Sequence, residues 1–172
     1  PLRDPGATDL AQRLLRPFSA QAWAYGAPLG TDHLGRDLLS RLLWGTRLSL
    51  MVGFAAALTA ALIGSALGLL AGYAGGRVDN LIMRSIDMIM AFPYILLALA
   101  IVAVLGPGLL NALFAVAVVN IPFFARSIRG ITVGLSHKEF VEAARLSGQS
   151  HLRIALTEVL PNVLPTIVIT LS

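Results

Sequence analysis

The chain has 172 residues, of which 56% are hydrophobic and 13% charged, with a mean hydropathy of +0.78. A water-soluble domain carries about a quarter charged residues, so this composition leaves too little polar surface for one and makes the lipid bilayer the expected solvent. The formal charge of +4 comes from Lys and Arg scattered among apolar runs, which points to anionic lipid headgroups rather than nucleic acid, and the lack of cysteine excludes disulfide scaffolds, thiolate metal sites and cysteine nucleophiles.

The chain begins at Pro1 and stops at Ser172 inside an apolar run, so it reads as a piece of a longer protein. Residues 1–47 precede the first long uncharged run. Within them, Pro28 to Leu50 reads as an amphipathic helix lying in the interface. Thr31 or Asp32 is its expected N-cap, Asp32–Arg36 and Asp37–Arg41 are acid-before-base pairs, and Leu34, Leu38, Leu42 and Leu43 line one face, with Trp44 as an aromatic anchor. Asp32, His33 and Asp37 read as solvated ion-pair neighbours rather than metal ligands.

Uncharged runs locate the membrane spans within residues 48–172. Leu48 to Gly76 is long enough for one helix across the hydrocarbon core of about 30 Å. Met88 to Ala125 is too long for one, and Gly106-Pro107-Gly108 divides it into a hairpin of two spans, near 88–105 and 109–125. A fourth apolar run begins at Val159. The expected fold class is therefore all-α, a polytopic bundle of transmembrane helices.

The first span carries small residues at four-residue spacing: Ala56, Ala60, Gly64, Gly68, Gly72 and Gly76. No hydrophobic force drives helices together in lipid, so such a ladder predicts close backbone packing against a neighbour. Asn111 and Asn120 are the polar side chains inside the later spans, each a candidate for the solute pathway or for an interhelical hydrogen bond, and Asp87 lies at the edge of one span.

Between the third and fourth apolar runs, at about residues 126–160, lies a polar island. Ser136 and Glu139 fit a capping box opening a helix of about 11 residues that Gly148 closes, and Ser150 is the expected cap of a second helix leading to Leu160 and Pro161. The first helix is expected to present Phe140, Val141 and Ala144 on one side, with Ala143 and Gly148 small enough for a partner surface to approach. The string Glu142-Ala143-Ala144, three residues, Gly148, then ten or so residues to Leu160-Pro161, resembles the cytoplasmic coupling loop of permease subunits in bacterial binding-protein-dependent ABC importers. Glu158 departs from the pattern, which often has an apolar residue there, and this puts the packing of the second helix in question. The segment GTDHLGRD, from Gly30 to Asp37, resembles one found ahead of the core in the dipeptide, oligopeptide and nickel branch of these permeases.

The resemblance implies a type I importer permease in the bacterial inner membrane, lining half of the translocation path and performing no chemistry itself. It implies a second permease as heterodimer partner, cytoplasmic ATPase subunits that bind the ATP and magnesium, and an extracytoplasmic solute-binding protein. It also implies an ATPase-coupling role for Phe140, Glu142, Ala143, Ala144, Gly148, Leu160 and Pro161, and a cytoplasmic island. Helix parity then puts the 77–87 loop on the same side and residues 1–47 outside. Charge alone does not orient the chain, with seven Lys and Arg on one side against six on the other. No phosphate-binding loop occurs in the sequence, and His33, His137 and His151 lack the spacing of a zinc site. An ion-coupled transporter would place ionisable groups in the middle of its spans, which carry none. A structural membrane subunit would need no coupling loop.

Overall fold

In the computed structural model, which describes residues 3–171, the chain forms two compact units, Pro1–Val52 and Gly53–Ser172. The helices are α1 (Ala20–Tyr25), α2 (Leu38–Ala74), α3 (Gly76–Met90), α4 (Tyr94–Leu105), α5 (Leu109–Ser136), α6 (Glu139–Leu146), α7 (His151–Ile154) and α8 (Leu160–Leu171), with a π-helical turn at Ala155–Val159 joining the last two. Among the described residues the only β pairing is a single antiparallel bridge between Thr31 and Asp37.

The first unit corrects the expected interfacial helix. Residues 28–37 form no helix, because their side chains hold the backbone in turns. The Asp32 carboxylate accepts from the N–H groups of Leu34 (2.8 Å) and Arg36 (3.1 Å), and Thr31 Oγ1 accepts from Leu15 N–H (3.0 Å). Short acidic side chains that bond nearby N–H groups compete with helix formation in this way. The helix starts at Leu38, and Asp37 is its cap, accepting from Leu39 and Ser40 N–H at 3.2 and 3.1 Å. The Asp32–Arg36 pair forms at 2.7 Å, but Arg41 turns to Asp32 rather than to Asp37. Burial pushes the Asp32 carboxyl up, yet the Arg36 side chain and the two N–H donors outweigh it and hold it below the usual carboxylate range. Leu34 lies outside the helix, while Leu38, Leu42, Leu43 and Trp44 occupy the opening turns of α2, which runs 37 residues to Ala74.

In the second unit, α2, α5 and the helix from His151 to Leu171 are each long and apolar enough to cross a membrane. The second expected span is not one helix. Residues 77–87 are helical rather than a loop, and α3 and α4 meet at an 88° bend across Ala91-Phe92-Pro93. Pro93 is the cause, since it has no N–H to continue the ladder and its backbone is extended (φ −55°, ψ 124°). At the other end of α4, Gly106-Pro107-Gly108 makes the expected hairpin, and α5 continues past residue 125 to Ser136.

The small-residue ladder meets α5. A Cβ on Gly64 would lie 2.7 Å from the Ile121 carbonyl oxygen, one on Gly68 2.5 Å from that of Ala125, and one on Gly72 2.7 Å from Thr132 Cβ. Ala56 and Ala60 are fully buried, and Ala60 packs with Ala61 and Phe124. Gly76 is not part of this seam. Helix α2 ends at Ala74, Gly75 turns the chain at φ 62°, and Gly76 opens α3 with open space around its Cβ position.

These distances define a test of the seam. Gly68→Ala should destabilise by about 1–3 kcal/mol, because a methyl group has no room against helix backbone. Gly130→Ala, where a Cβ meets nothing within 4 Å, should leave stability unchanged or slightly raised. Thermal unfolding in detergent reads the difference, and equal midpoints for the two variants would show that the seam tolerates expansion.

Candidate functional site: the polar island and its outward helix

Helix α6 is short and acidic at its start, with Glu139 and Glu142 in the first turn and Arg145 in the last, an order that suits the helix dipole. The expected capping box does not form. Lys138 is the N-cap and makes no side-chain cap, while the Ser136 hydroxyl donates back to Val133 C=O at 2.9 Å inside α5. The helix ends after 8 residues, shorter than the expected 11. Its C-terminus is closed by Gly148 at φ 77°: Gly148 N–H reaches Arg145 C=O (3.0 Å) and Gln149 N–H reaches Ala144 C=O (3.3 Å). This pair of bonds is a Schellman closure, and it gives the chain a fixed exit direction.

The two faces of α6 differ from the expected division. Val141 and Ala144 turn inward and join Ile128 of α5, Ile154 of α7, Val159 and Val163 in one buried cluster. Phe140, Glu142 and Ala143 face outward, together with Leu146, which is 90% exposed. Leu146 went unremarked in the sequence. Its only signal is an apolar residue one turn beyond Glu142 and Ala143 within a polar segment. The outward face thus offers two apolar side chains, a small residue and a carboxylate on a helix whose opposite face is anchored.

Leu160 and Pro161 lie elsewhere. Leu160 is half-buried and lines a cavity of about 400 Å³ with Leu62, Leu69 and Ile167, among others. Pro161 is exposed at the start of α8 and accounts for the π turn. It has no N–H for the Thr157 carbonyl, and the ladder lengthens so that Leu160 N–H bonds Ala155 C=O, five residues back. The Asn162 side chain donates to Glu158 C=O at 2.6 Å. The extra residue in the turn also answers the Glu158 departure. Regular α spacing from Ile154 would carry residue 158 inward, whereas the π turn brings in Val159, and Ile154, Val159 and Val163 are all fully buried. Ser150 caps α7 as expected, accepting from Arg153 N–H at 3.4 Å.

Three polar ties position this assembly, and none was legible as a pair. Asp79 of α3 receives two bonds from Arg129 of α5, at 3.0 and 2.5 Å. Asp87 pairs with Arg126 at 2.5 Å. Tyr73, near the end of α2, hydrogen-bonds His151 Nδ1 at 3.2 Å, and the Arg145 guanidinium stands 5.6 Å over the Tyr73 ring. Tyr73, Arg145 and His151 share the lining of a cavity of about 570 Å³ with Leu70, Ala74, Leu152 and Ala155.

Of the two asparagines, Asn111 donates to the Leu105 and Gly106 carbonyls at 2.9 and 3.0 Å and so closes the α4–α5 hairpin. Asn120 donates to Val116 C=O at 2.7 Å within its own helix, and lines a cavity of about 250 Å³ with Phe124, Thr170 and others. Among the described residues no group of three or more His, Asp or Glu is arranged to hold a metal.

The bundle of long apolar helices, with a short polar helix anchored to it by one face, is that of a polytopic membrane protein. Residues 64–172 match the family described as binding-protein-dependent transport system inner membrane component, and the chain belongs to it, as a multi-pass inner-membrane protein. The dipeptide transport system permease protein DppC of Alkalihalophilus pseudofirmus is 47% identical over 162 residues, covering 94% of this chain and 51% of that protein. The nickel transport system permease protein NikC of Escherichia coli is 43% identical, covering 96% of this chain and 58% of its own. The glutathione transport system permease protein GsiD of Pectobacterium atrosepticum is 46% identical, covering 84% and 48%. The chain thus spans about half the length of the curated relatives it matches.

Gly148 gives a local test. No atom lies within 4 Å of its Cβ position, so Gly148→Val meets only the cost of a positive φ for a β-branched residue, about 1–2 kcal/mol. The expected result is faster amide exchange in residues 139–149 with the rest of the bundle unchanged. Unaltered exchange there would show that the closure does not fix the helix.

Proposed function

We propose that this chain belongs to a permease subunit of an ATP-driven importer, with di- or oligopeptides as solute, and that α6 is its contact with a separate ATPase. The observation that carries the reading is the division of α6 into an anchored face, Val141 and Ala144, and an outward face, Phe140, Glu142, Ala143 and Leu146. A helix that buries one side in the bundle moves with the bundle. A partner groove that grips the other side can therefore transmit displacement to the transmembrane helices. Leu160 and Pro161 act one step back, setting the register of the helix onto which α6 packs.

In this reading the 77–87 and 126–158 segments face the cytoplasm and residues 1–47 face outward. The partners are a second, different permease, two cytoplasmic ATPases holding ATP and magnesium, and an extracytoplasmic solute-binding protein. Closure of the ATPases moves α6, and the permease pair exchanges an inward-open for an outward-open path. Peptide-like solutes are favoured by the names of the relatives, several of which are dipeptide or glutathione permeases.

Reversing the charge of Glu142 tests this at the contact itself. Glu142 is exposed, so Glu142→Lys should insert and fold normally while an interfacial mismatch weakens the complex by about 2–5 kcal/mol. The expected outcome is loss of ATPase co-purification and of solute-stimulated ATP hydrolysis. Full retention of both would reject α6 as the contact.

A further inference from the structure

We infer that the break between α3 and α4, at Ala91-Phe92-Pro93, opens onto the water-filled solute path, with Phe92 and Tyr94 among the side chains that meet the solute. This rests on the transport reading above and adds the place where solute meets the chain. Helix α4 has 12 residues and is about 18 Å long, well short of the hydrocarbon core of about 30 Å. Its two ends cannot both reach the interfaces. The hairpin end is closed by Asn111, whose amide meets the Leu105 and Gly106 carbonyls. At the break, the Ala91 and Phe92 N–H groups are met by Asp87 and Ile89 of α3, but α4, with Pro93 as its N-cap, has no side-chain cap, and the N–H groups of its first turn have no partner within the helix.

The depth of the break follows from the ion pair beside it. Asp87–Arg126 marks a charged level on α3 and α5, and the break packs deeper, against Val119, Pro122 and Phe123 of α5. Pro122 lies one turn, about 6 Å, inside Arg126. There α3, α4 and α5 line a cavity of about 260 Å³, with Ile89, Met90, Phe92, Tyr94, Pro122 and Phe123 in its wall and Leu97 and Val119 beside them. Two backbone defects therefore meet at one cavity: the break at Pro93, and Pro122, which gives no N–H to the Val118 carbonyl.

Irregular backbone at membrane depth is tolerated only where protein or water satisfies it. A neighbouring transmembrane helix has its own backbone already bonded and offers few partners. Water does, and so do the amides of a passing peptide. Phe92 and Tyr94 both line the cavity and so meet whatever fills it. Aromatic rings flanking unpaired backbone groups suit a solute with both amides and apolar side chains.

The chain has no cysteine, so single thiols report directly. Phe92→Cys, Tyr94→Cys and a control on the regular part of α4, Leu99→Cys, would be made in the full-length permease assembled with its partners. Inverted membrane vesicles would then be treated with a charged methanethiosulfonate reagent, without nucleotide and after trapping with ATP and vanadate. Cysteines at 92 and 94 should react about tenfold faster than at 99 without nucleotide, and slow markedly on trapping, as a water-lined path closes to the cytoplasmic side. Rates at 92 and 94 as slow as at 99 would overturn the inference, and so would fast rates that are equal in both states. Failure of the ATPase to co-purify with the unaltered permease would instead strike the transport reading itself.

Discussion

The close approach of α2 and α5 over Gly64, Gly68 and Gly72 is the constraint on which the membrane unit depends. Lipid offers apolar side chains no gain from associating with one another, so contact must come from backbone proximity and van der Waals packing. With α2 seated against α5 through these glycines, Thr132 reaches Gly72 and Ile128 stands beside Gly68. Ile128 is also a member of the cluster that holds Val141 and Ala144. The seam in the membrane and the seat of α6 therefore share one helix. A shift of α5 by the width of a methyl group would move both.

Polar side chains do the rest of the positioning, and one of them, Arg129, belongs to the seam through its backbone, which approaches Gly68 and Gly72. Arg129 and Arg126 hold α3 against α5 through Asp79 and Asp87, and Tyr73 ties the end of α2 to His151. The π turn at Ala155–Val159 is part of the same economy of fit. Pro161 forces the ladder to lengthen, and the added residue turns Val159 into the core in the place Glu158 would otherwise hold.

The sequence made legible whatever local rules decide. The uncharged runs located α2, α5 and α8, Ser150 marked the cap of α7, the glycine spacing marked a packing face, and Gly148 marked the end of α6. What it hid depended on longer-range or competing interactions. Asp32 and Asp37 looked like helix pairs, but they bond backbone N–H groups and stop the helix from starting before Leu38. The run from 88 to 105 looked continuous because apolar content says nothing about the turn that Pro93 imposes. Asp79 and Arg129 are 50 residues apart, and nothing in either neighbourhood names the other. The faces of α6 were misassigned because inward and outward are set by the packing of α5 and α8, not by the eight residues of α6 alone.

The central claim is that α6 meets its ATPase with the face opposite Val141 and Ala144. Photo-crosslinking residues placed singly at Leu146 and at Val141, in the assembled transporter, test it most directly. The account predicts a covalent adduct with the ATPase from position 146 and only adducts within the permease from position 141. ATPase adducts from position 141, or none from position 146, would contradict it.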